Sequence, residues 1–229
     1  MLTFQIQGTE ETLSLQARRV VIAGYTGRDQ AAVQRHVDEL RAHGIPAPAR
    51  VPTLFPCTVD RMTTANEIEV LGNRTSGEAE FALIYHHGEI YVAAASDHTD
   101  RDLERTSITF AKQVCPKVLS REVWPYAEVS DHWDAIVLRG WAGSGSDARR
   151  YQEGALAEML PPDELEALVR ERLGGVMDGT VIYSGTLPIL GGGGFDFSAT
   201  FAVELQDPGT DQALRCEYSV REVTWAGDG

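Results

Sequence analysis

Two glutamates one residue apart carry the first chemistry worth asking about. Glu78 and Glu80 sit in GEAEFALIY (77–85), an apolar-rich run that reads as a strand, so both carboxylates point to one face. Two carboxylates within about 7 Å repel unless a proton or a cation lies between them. Hard divalent ions such as Mg²⁺, Mn²⁺ and Ca²⁺ take oxygen ligands of this kind. The plainer reading is the wet face of an amphipathic strand, with Ala79, Phe81 and Leu83 turned inward. A second acidic segment, SDHTDRDLE (96–104), follows the apolar YVAAA, which should deliver Asp97 to a strand end. It mixes Asp97, Asp100 and Asp102 with Arg101 and Glu104. Its plainer reading is a polar loop in which Asp97 or Thr99 caps the next helix.

Two further segments supply cations and backbone donors. In FAKQVCPKVL (110–119), Lys112 and Lys117 flank an apolar stretch. A lysine beside a metal-bound carboxylate serves as acid, base or oxyanion donor, whereas a solvated helix lysine does none of these. In DGTVIYSGTLPILGGGGFDF (178–197), a strand ends in Gly-Thr before a glycine-rich turn whose N–H groups can receive a carboxylate. No Lys-Ser/Thr follows the glycines, so it is not a phosphate loop, and a hairpin loop explains it equally well. His86, His87, His98 and His132 do not make three or four convergent zinc ligands.

These residues need elements to hold them. LTFQIQ alternates as a strand with EETLSLQA as its hairpin partner, and RRVVIAG reads as a buried strand ending at Gly24. DQAAVQRHVDELRAHG spaces its apolar residues as a helix, with Asp29 as N-cap and Gly44 as stop. IPAPARVPTLFP holds four prolines and is expected to be an ordered loop between layers. EIEVLG, EAEFALIY and EIYVAAA read as strands, the last two joined by an HHGE turn. DLERTSITFAKQV and PPDELEALVRERLG read as helices, and AIVLRGWA as a strand ending in a flexible GSGSD. DGTVIYSGTLP and FDFSATFAVELQD alternate as strands around the GGGG turn, and ALRCEYSVREVTW is the last strand. There is no regular βαβ alternation, so a doubly wound sheet is not expected. The pattern fits an α+β, mostly β, mixed roll with peripheral helices.

Composition narrows the classes. The 229 residues are 43% hydrophobic and 24% charged, enough for a sizeable core. A formal net charge of −14 argues against nucleic-acid binding, which needs a cationic surface. The longest apolar runs, VVIA (20–23) and AIVL (135–138), fall far short of the roughly 20 residues of a membrane span, and the first residues do not read as a signal peptide. A cytoplasmic location is the expectation. Cys57, Cys115 and Cys216 are an odd, widely separated set, which argues against both a disulfide framework and a cysteine zinc site.

In this order, GEAE, SDHTDRDLE, Lys112 and GTVIYSGTLP resemble the ordered motifs of the fumarylacetoacetate hydrolase superfamily, over roughly residues 18–205. VVIAGYTGRDQ, the proline-rich segment and Leu-Phe agree with it in outline. SGEAE, SDHTDRDLE, AKQVCPK and HWD look like an uncharacterised bacterial branch of that superfamily. The resemblance implies a single domain over 1–229, with 1–17 an N-terminal strand or hairpin and 18–229 the catalytic part. It implies a mixed β-sandwich roll, a homodimer, and metal ligands at Glu78, Glu80 and Asp97 for Mg²⁺ or Mn²⁺, with Ca²⁺ also compatible. Arg101 and Lys112 would be catalytic. Tyr25, Arg28, Gln113, Gly185 and Thr186 would contact a small carboxylate substrate. Three features depart from the family pattern: a short connection between E-x-E and Asp97, Ser96 in place of Asn, and Glu104 in place of Gln. The lid positions expected to hold H-x-x-E carry Gln30 and Val33. His36 and Glu39 follow on the same helix and share a face at i, i+3, where a carboxylate can orient an imidazole as general base. The implied activity is a metal-dependent hydrolase or lyase on a keto or dicarbonyl acid. A decarboxylase, hydratase or isomerase is an alternative, as is a silent relative binding a small acid or a protein.

Overall fold

The structure, a computed structural model, describes residues 1–42, 48, 50–192 and 194–224, apart from the side chains of residues 36 and 39–42. The chain opens with strands β1 (Leu2–Ile6), β2 (Thr12–Leu15) and β3 (Arg19–Gly24), then helix α1 (Gln30–Ala42) and β4 (Thr53–Cys57). Short strands β5 (Met62–Thr63), β6 (Glu67–Val70) and β7 (Thr75–Ser76) lead to the long hairpin β8 (Ala79–His86) and β9 (Glu89–Asp97). Next come β10 (Thr99–Asp100), helices α2 (Arg101–Glu104) and α3 (Ile108–Val114), β11 (Lys117–Leu119), β12 (Glu122–Pro125) and α4 (Tyr126–Val129). The last part holds β13 (Val137–Ala142), β14 (Arg149–Ala155), α5 (Pro162–Leu173), β15 (Thr180–Tyr183), β16 (Thr200–Asp207) and β17 (Gln212–Glu222).

A ten-stranded mixed sheet runs β2-β1-β12-β9-β8-β15-β3-β4, with β11 and β5 added beside β9; a five-stranded sheet runs β14-β13-β16-β17-β6. Both faces of β8 are apolar, and each feeds a different core. Ala79, Phe81 and Leu83 pack with Leu138, Val203, Leu205 and Leu214 of the second sheet and with Leu165 and Val169 of α5. Ala82 and Ile84 join Ala93, Ala95, Val20, Ile22, Val181 and Tyr183, along with Phe4, Leu13 and Leu15. The strand members of this second core all belong to the ten-stranded sheet, so that sheet curls around its own face. The α+β, mostly β roll expected from the pattern is what forms.

Local signals place most elements. Asp29 caps α1, its carboxylate accepting from the N–H groups of Ala31 and Ala32 at 2.9 and 3.1 Å, as expected; Gly44 lies outside the described residues. Gly174 ends α5 in the left-handed conformation at φ 68°. His87 and Gly88 turn the β8–β9 hairpin with φ of 52° and 87°. Two expectations need correction. The proline-rich segment is not all loop: its end forms β4, tolerated because β4 is a sheet edge, where Pro56 has no N–H to offer a further neighbour. The strands around the glycine run are not hairpin partners. β15 pairs with β8 and β3 in one sheet, while β16 pairs with β13 and β17 in the other. β15 and β16 therefore lie in different sheets. Among the described residues, no helix is long and apolar enough to cross a membrane.

Candidate metal centre

Strand register assembles a carboxylate cluster at one end of the ten-stranded sheet. In the β8–β9 ladder Glu80 faces Ala95 and Ala79 faces Ser96. Continued by one residue, the same register sets Glu78 opposite Asp97, where the Asp97 N–H donates to the Glu78 carbonyl at 3.1 Å. On the other side of β9, β11 places Lys117 directly opposite Asp97. In the β15–β8 ladder Tyr183 faces Ala82, so two residues on Gly185 faces Glu80. Side chains two apart share a face, so Glu78, Glu80, Asp97 and Lys117 all emerge on the face of the self-enclosed core.

Ligand oxygens of Glu78, Glu80 and Asp97 lie within 4.8 Å of one another. Glu80 is 1% exposed and Asp97 fully buried. A wet strand face is therefore excluded for Glu80. Nor does Asp97 cap a helix, because Asp100 caps α2, accepting from Asp102 and Leu103 N–H at 3.0 and 2.9 Å. Cations surround the acids. Lys112 Nζ reaches Glu78 Oε2 at 3.0 Å and makes a short contact with Asp97 Oδ2. Lys117 Nζ lies 2.8 Å from Asp97 Oδ1 and donates to the His98 carbonyl at 2.6 Å. Arg101 donates from Nε to Ser76 Oγ at 2.7 Å and from Nη1 to Glu104 Oε2 at 3.0 Å. Its Nη2, 3.2 Å from Glu78 Oε1, is close enough to pair in charge but is poorly directed as a hydrogen bond.

Burial and charge pull these groups in opposite directions. Burial raises the Asp97 carboxyl, but Lys112 and Lys117 outweigh it and hold the group down at about 2. Glu80 is pushed well above the usual carboxylate range, first by burial and then by Asp97. Its compensating bond is the Gly185 N–H at 3.0 Å. A buried, acidic pocket with one carboxyl under pressure to hold a proton is the donor set a hard divalent ion fits: the ion would displace that proton and screen the three acids from one another.

The turn after β15 is braced for this contact. Gly185 adopts φ 84°, and a β-carbon there would run into Thr26 Oγ1. The Thr26 hydroxyl donates to the Ser184 carbonyl at 2.6 Å, and Ser184 Oγ accepts from the Phe81 N–H at 3.1 Å. Thr186 donates to the Ala79 carbonyl at 2.9 Å and accepts from Gln152 Nε2 at 2.6 Å, while Gln152 Oε1 accepts from the Ala79 N–H at 2.9 Å.

The other candidate residues fall in several places. Tyr25, half-buried and held at φ 59°, is placed by β3 beside the cluster; burial raises its hydroxyl, followed by the nearby charge of Glu104. A side chain other than glycine in that conformation carries strain of a kind found at functional sites. Arg28 is engaged with Asp134 at 2.9 and 2.7 Å and with the Met159 carbonyl at 3.1 Å. Gln113 uses both ends of its amide on Thr58, at 2.6 and 2.9 Å. His36 and Glu39 are on α1, and their side chains lie outside the described part of the structure. His98 is a core residue between Tyr218 and Thr75 at 3.0 and 2.8 Å. Sequence reasoning gave no specific role to Lys117 and overlooked Gln152. The alternation Lys117–Val118–Leu119 was the one available signal for the first.

Residues 23–218 match the family described as "Protein of unknown function (DUF2848)", and the chain belongs to it. No curated protein matches it by sequence. Its fold is that of the fumarylacetoacetate hydrolase family. Yeast ynq8, a fumarylacetoacetate hydrolase family protein, is 15% identical with a TM-score of 0.61, over 90% of this chain and 94% of that one. A 2-keto-3-deoxy-D-arabinonate dehydratase is 17% identical with a TM-score of 0.64, over 90% and 74%. Cg1458 gives 15% and 0.64, over 91% and 78%. A second structure of the dehydratase, 18% identical with a TM-score of 0.61, over 90% and 73%, holds magnesium and 2,5-dioxopentanoate.

Proposed function

We propose that this chain is a divalent-metal-dependent hydrolase or lyase acting on a small keto or dicarbonyl acid, with Mg²⁺ or Mn²⁺ held by Glu78, Glu80 and Asp97. The observation that carries it is the convergence of those three carboxylates within 4.8 Å in a buried setting flanked by Lys112 and Arg101. The magnesium and dioxo acid bound by the structurally similar dehydratase support the reading. A divalent ion supplies a Lewis acid for the oxygens of a 1,2- or 1,3-dioxygenated substrate. Lys112 offers its ammonium where negative charge develops. Arg101 fixes Glu78 and Glu104 from one side, and Lys117 fixes Asp97 from the other, so the ligands are oriented before anything binds. Tyr25, Gly185 and Thr186 border the substrate space, and His36 with Glu39 acts on water or a substrate proton.

Metal analysis of the purified protein, with melts in the presence and absence of Mg²⁺ or Mn²⁺, tests the reading on wild type and Glu78→Gln. A near-stoichiometric ion and a metal-dependent shift, both lost in the variant, are expected. No ion and no shift in wild type sink the assignment. The dehydratase neighbour favours a second reading, in which the reaction proceeds without a hydrolytic water. Replacing His36 by Ala separates the two: loss of C–C hydrolysis with retained exchange at the substrate's α-carbon assigns the pair to water alone.

A further inference from the structure

The charges around the cluster are unequal, and the inequality bears on the substrate. Among the described side chains, four carboxyl groups meet there, from Glu78, Glu80, Asp97 and Glu104, against three cations, from Arg101, Lys112 and Lys117. A bound divalent ion, displacing the proton that Glu80 is under pressure to hold, would leave these groups with a single positive excess. One substrate carboxylate then balances the site, and a second would leave a buried negative charge without a partner, a costly state.

The three cations have no fork to offer a second carboxylate. Arg101, 4% exposed, gives Nη1 to Glu104 and Nε to Ser76, and its Nη2 lies 3.2 Å from Glu78 Oε1 without a directed bond, so each of its two-nitrogen edges already has one nitrogen engaged and cannot grip a further carboxylate bidentately. Lys112 and Lys117 are held by Glu78 and Asp97. Glu104, whose side chain is 20% exposed, places a negative charge near enough to the cluster to raise the Tyr25 hydroxyl. Aromatic surface borders the same cations. The Phe195 ring, 45% exposed, stacks 4.1 Å from the Arg101 guanidinium carbon, and Phe55 lies 6.0 Å below Lys112 Nζ. An exposed ring over a buried cation is a surface that an apolar chain can cover and that gives a carboxylate nothing to bond.

We propose that the site takes 2-oxo monocarboxylates with an uncharged apolar tail and discriminates against dicarboxylates, with Glu104 and Phe195 as the residues that set this choice. The inference rests on the keto-acid reading above and narrows it. Glu104 acts twice: it occupies the Arg101 edge that would otherwise receive a second carboxylate, and it repels one electrostatically.

Calorimetric titration of the Mg²⁺-loaded protein with 2-oxohexanoate and 2-oxohexanedioate tests this, because the two acids differ at the far terminus and neither need be turned over. Wild type is expected to bind 2-oxohexanoate at least tenfold more tightly. In Glu104→Gln the ratio should narrow to threefold or less, chiefly by tighter binding of the dicarboxylate. A Mg²⁺-dependent melting shift retained in that variant shows that the centre still forms; if the shift is lost, Phe195→Ala carries the test. In Phe195→Ala the preference for 2-oxohexanoate over pyruvate should fall at least fivefold. Equal or tighter binding of the dicarboxylate by wild type overturns this inference and leaves the metal-centre reading standing. An unchanged ratio in Glu104→Gln removes Glu104 from the role, and an unchanged preference in Phe195→Ala removes Phe195. If neither acid binds in the presence of Mg²⁺, the keto-acid reading itself fails, and the inference with it.

Discussion

Lys117→Met is the most informative single change, because Lys117 and Asp97 are both fully buried and face each other across adjacent strands at 2.8 Å. With Asp97 held at about 2 and an unfolded value of about 3.9, its net interactions contribute on the order of 2–3 kcal/mol at neutral pH. Lys112 shares that contribution, but methionine leaves the desolvation of Asp97 in place and frees the His98 carbonyl from its bond. Removing one partner of a buried pair costs about 3–5 kcal/mol when nothing replaces it. With Lys112 still present, the expected loss is about 2–4 kcal/mol, or about 4–16 °C in Tm for a chain of this size. Urea unfolding of wild type and variant measures it, and a cycle with Asp97→Asn isolates the pair. A bound divalent ion should stand in for the missing ammonium, so Mg²⁺ should stabilise the variant by at least about 1 kcal/mol more than wild type. A loss under about 0.5 kcal/mol together with an unchanged Mg²⁺ effect would refute the reasoning.

Two other perturbations probe the support of the site. Burial, and then the charges of Lys117 and Arg101, hold the His98 imidazole down at about 3. The unfolded chain, titrating near 6.5, therefore binds that proton more tightly. Stability present above about pH 6.5 is lost as pH falls toward 3, by up to about 1.4 kcal/mol per unit. Urea titrations from pH 7 to 5 should show a shallower loss for His98→Asn than for wild type, and equal slopes count against it. Gly185→Ala would drive a β-carbon into Thr26 Oγ1 and to 2.9 Å from the Ala23 carbonyl, at φ 84°. The expected cost is about 2–4 kcal/mol, with a smaller Mg²⁺-dependent melting shift as the Gly185 N–H backs away from Glu80. A change below about 0.5 kcal/mol would show that the turn relaxes freely.

The sequence by itself determined the parity of this site. A strand repeats every two residues, so Glu78 and Glu80 had to share a face wherever β8 lay, and the apolar run before Asp97 had to end near it. Asp29, Gly174 and the His87-Gly88 turn were legible for the same reason: caps and turns act within a few residues. What the sequence left open was which face would be wet. An E-x-E strand flanked by polar loops looks half-solvated, and only the curl of the ten-stranded sheet buries Glu80 against a second core. Partners are the other half. Lys117 meets Asp97, Gly185 meets Glu80, and Gln152 holds Ala79 and Thr186, because β11, β15 and β14 take particular neighbours in particular registers. A one-residue slip in any of those ladders would turn the same side chains to the opposite face. Pairing between segments far apart in the chain is decided by burying the whole sheet at once, so Lys117 and Gln152 read as ordinary polar residues until the tertiary structure set them beside the carboxylates.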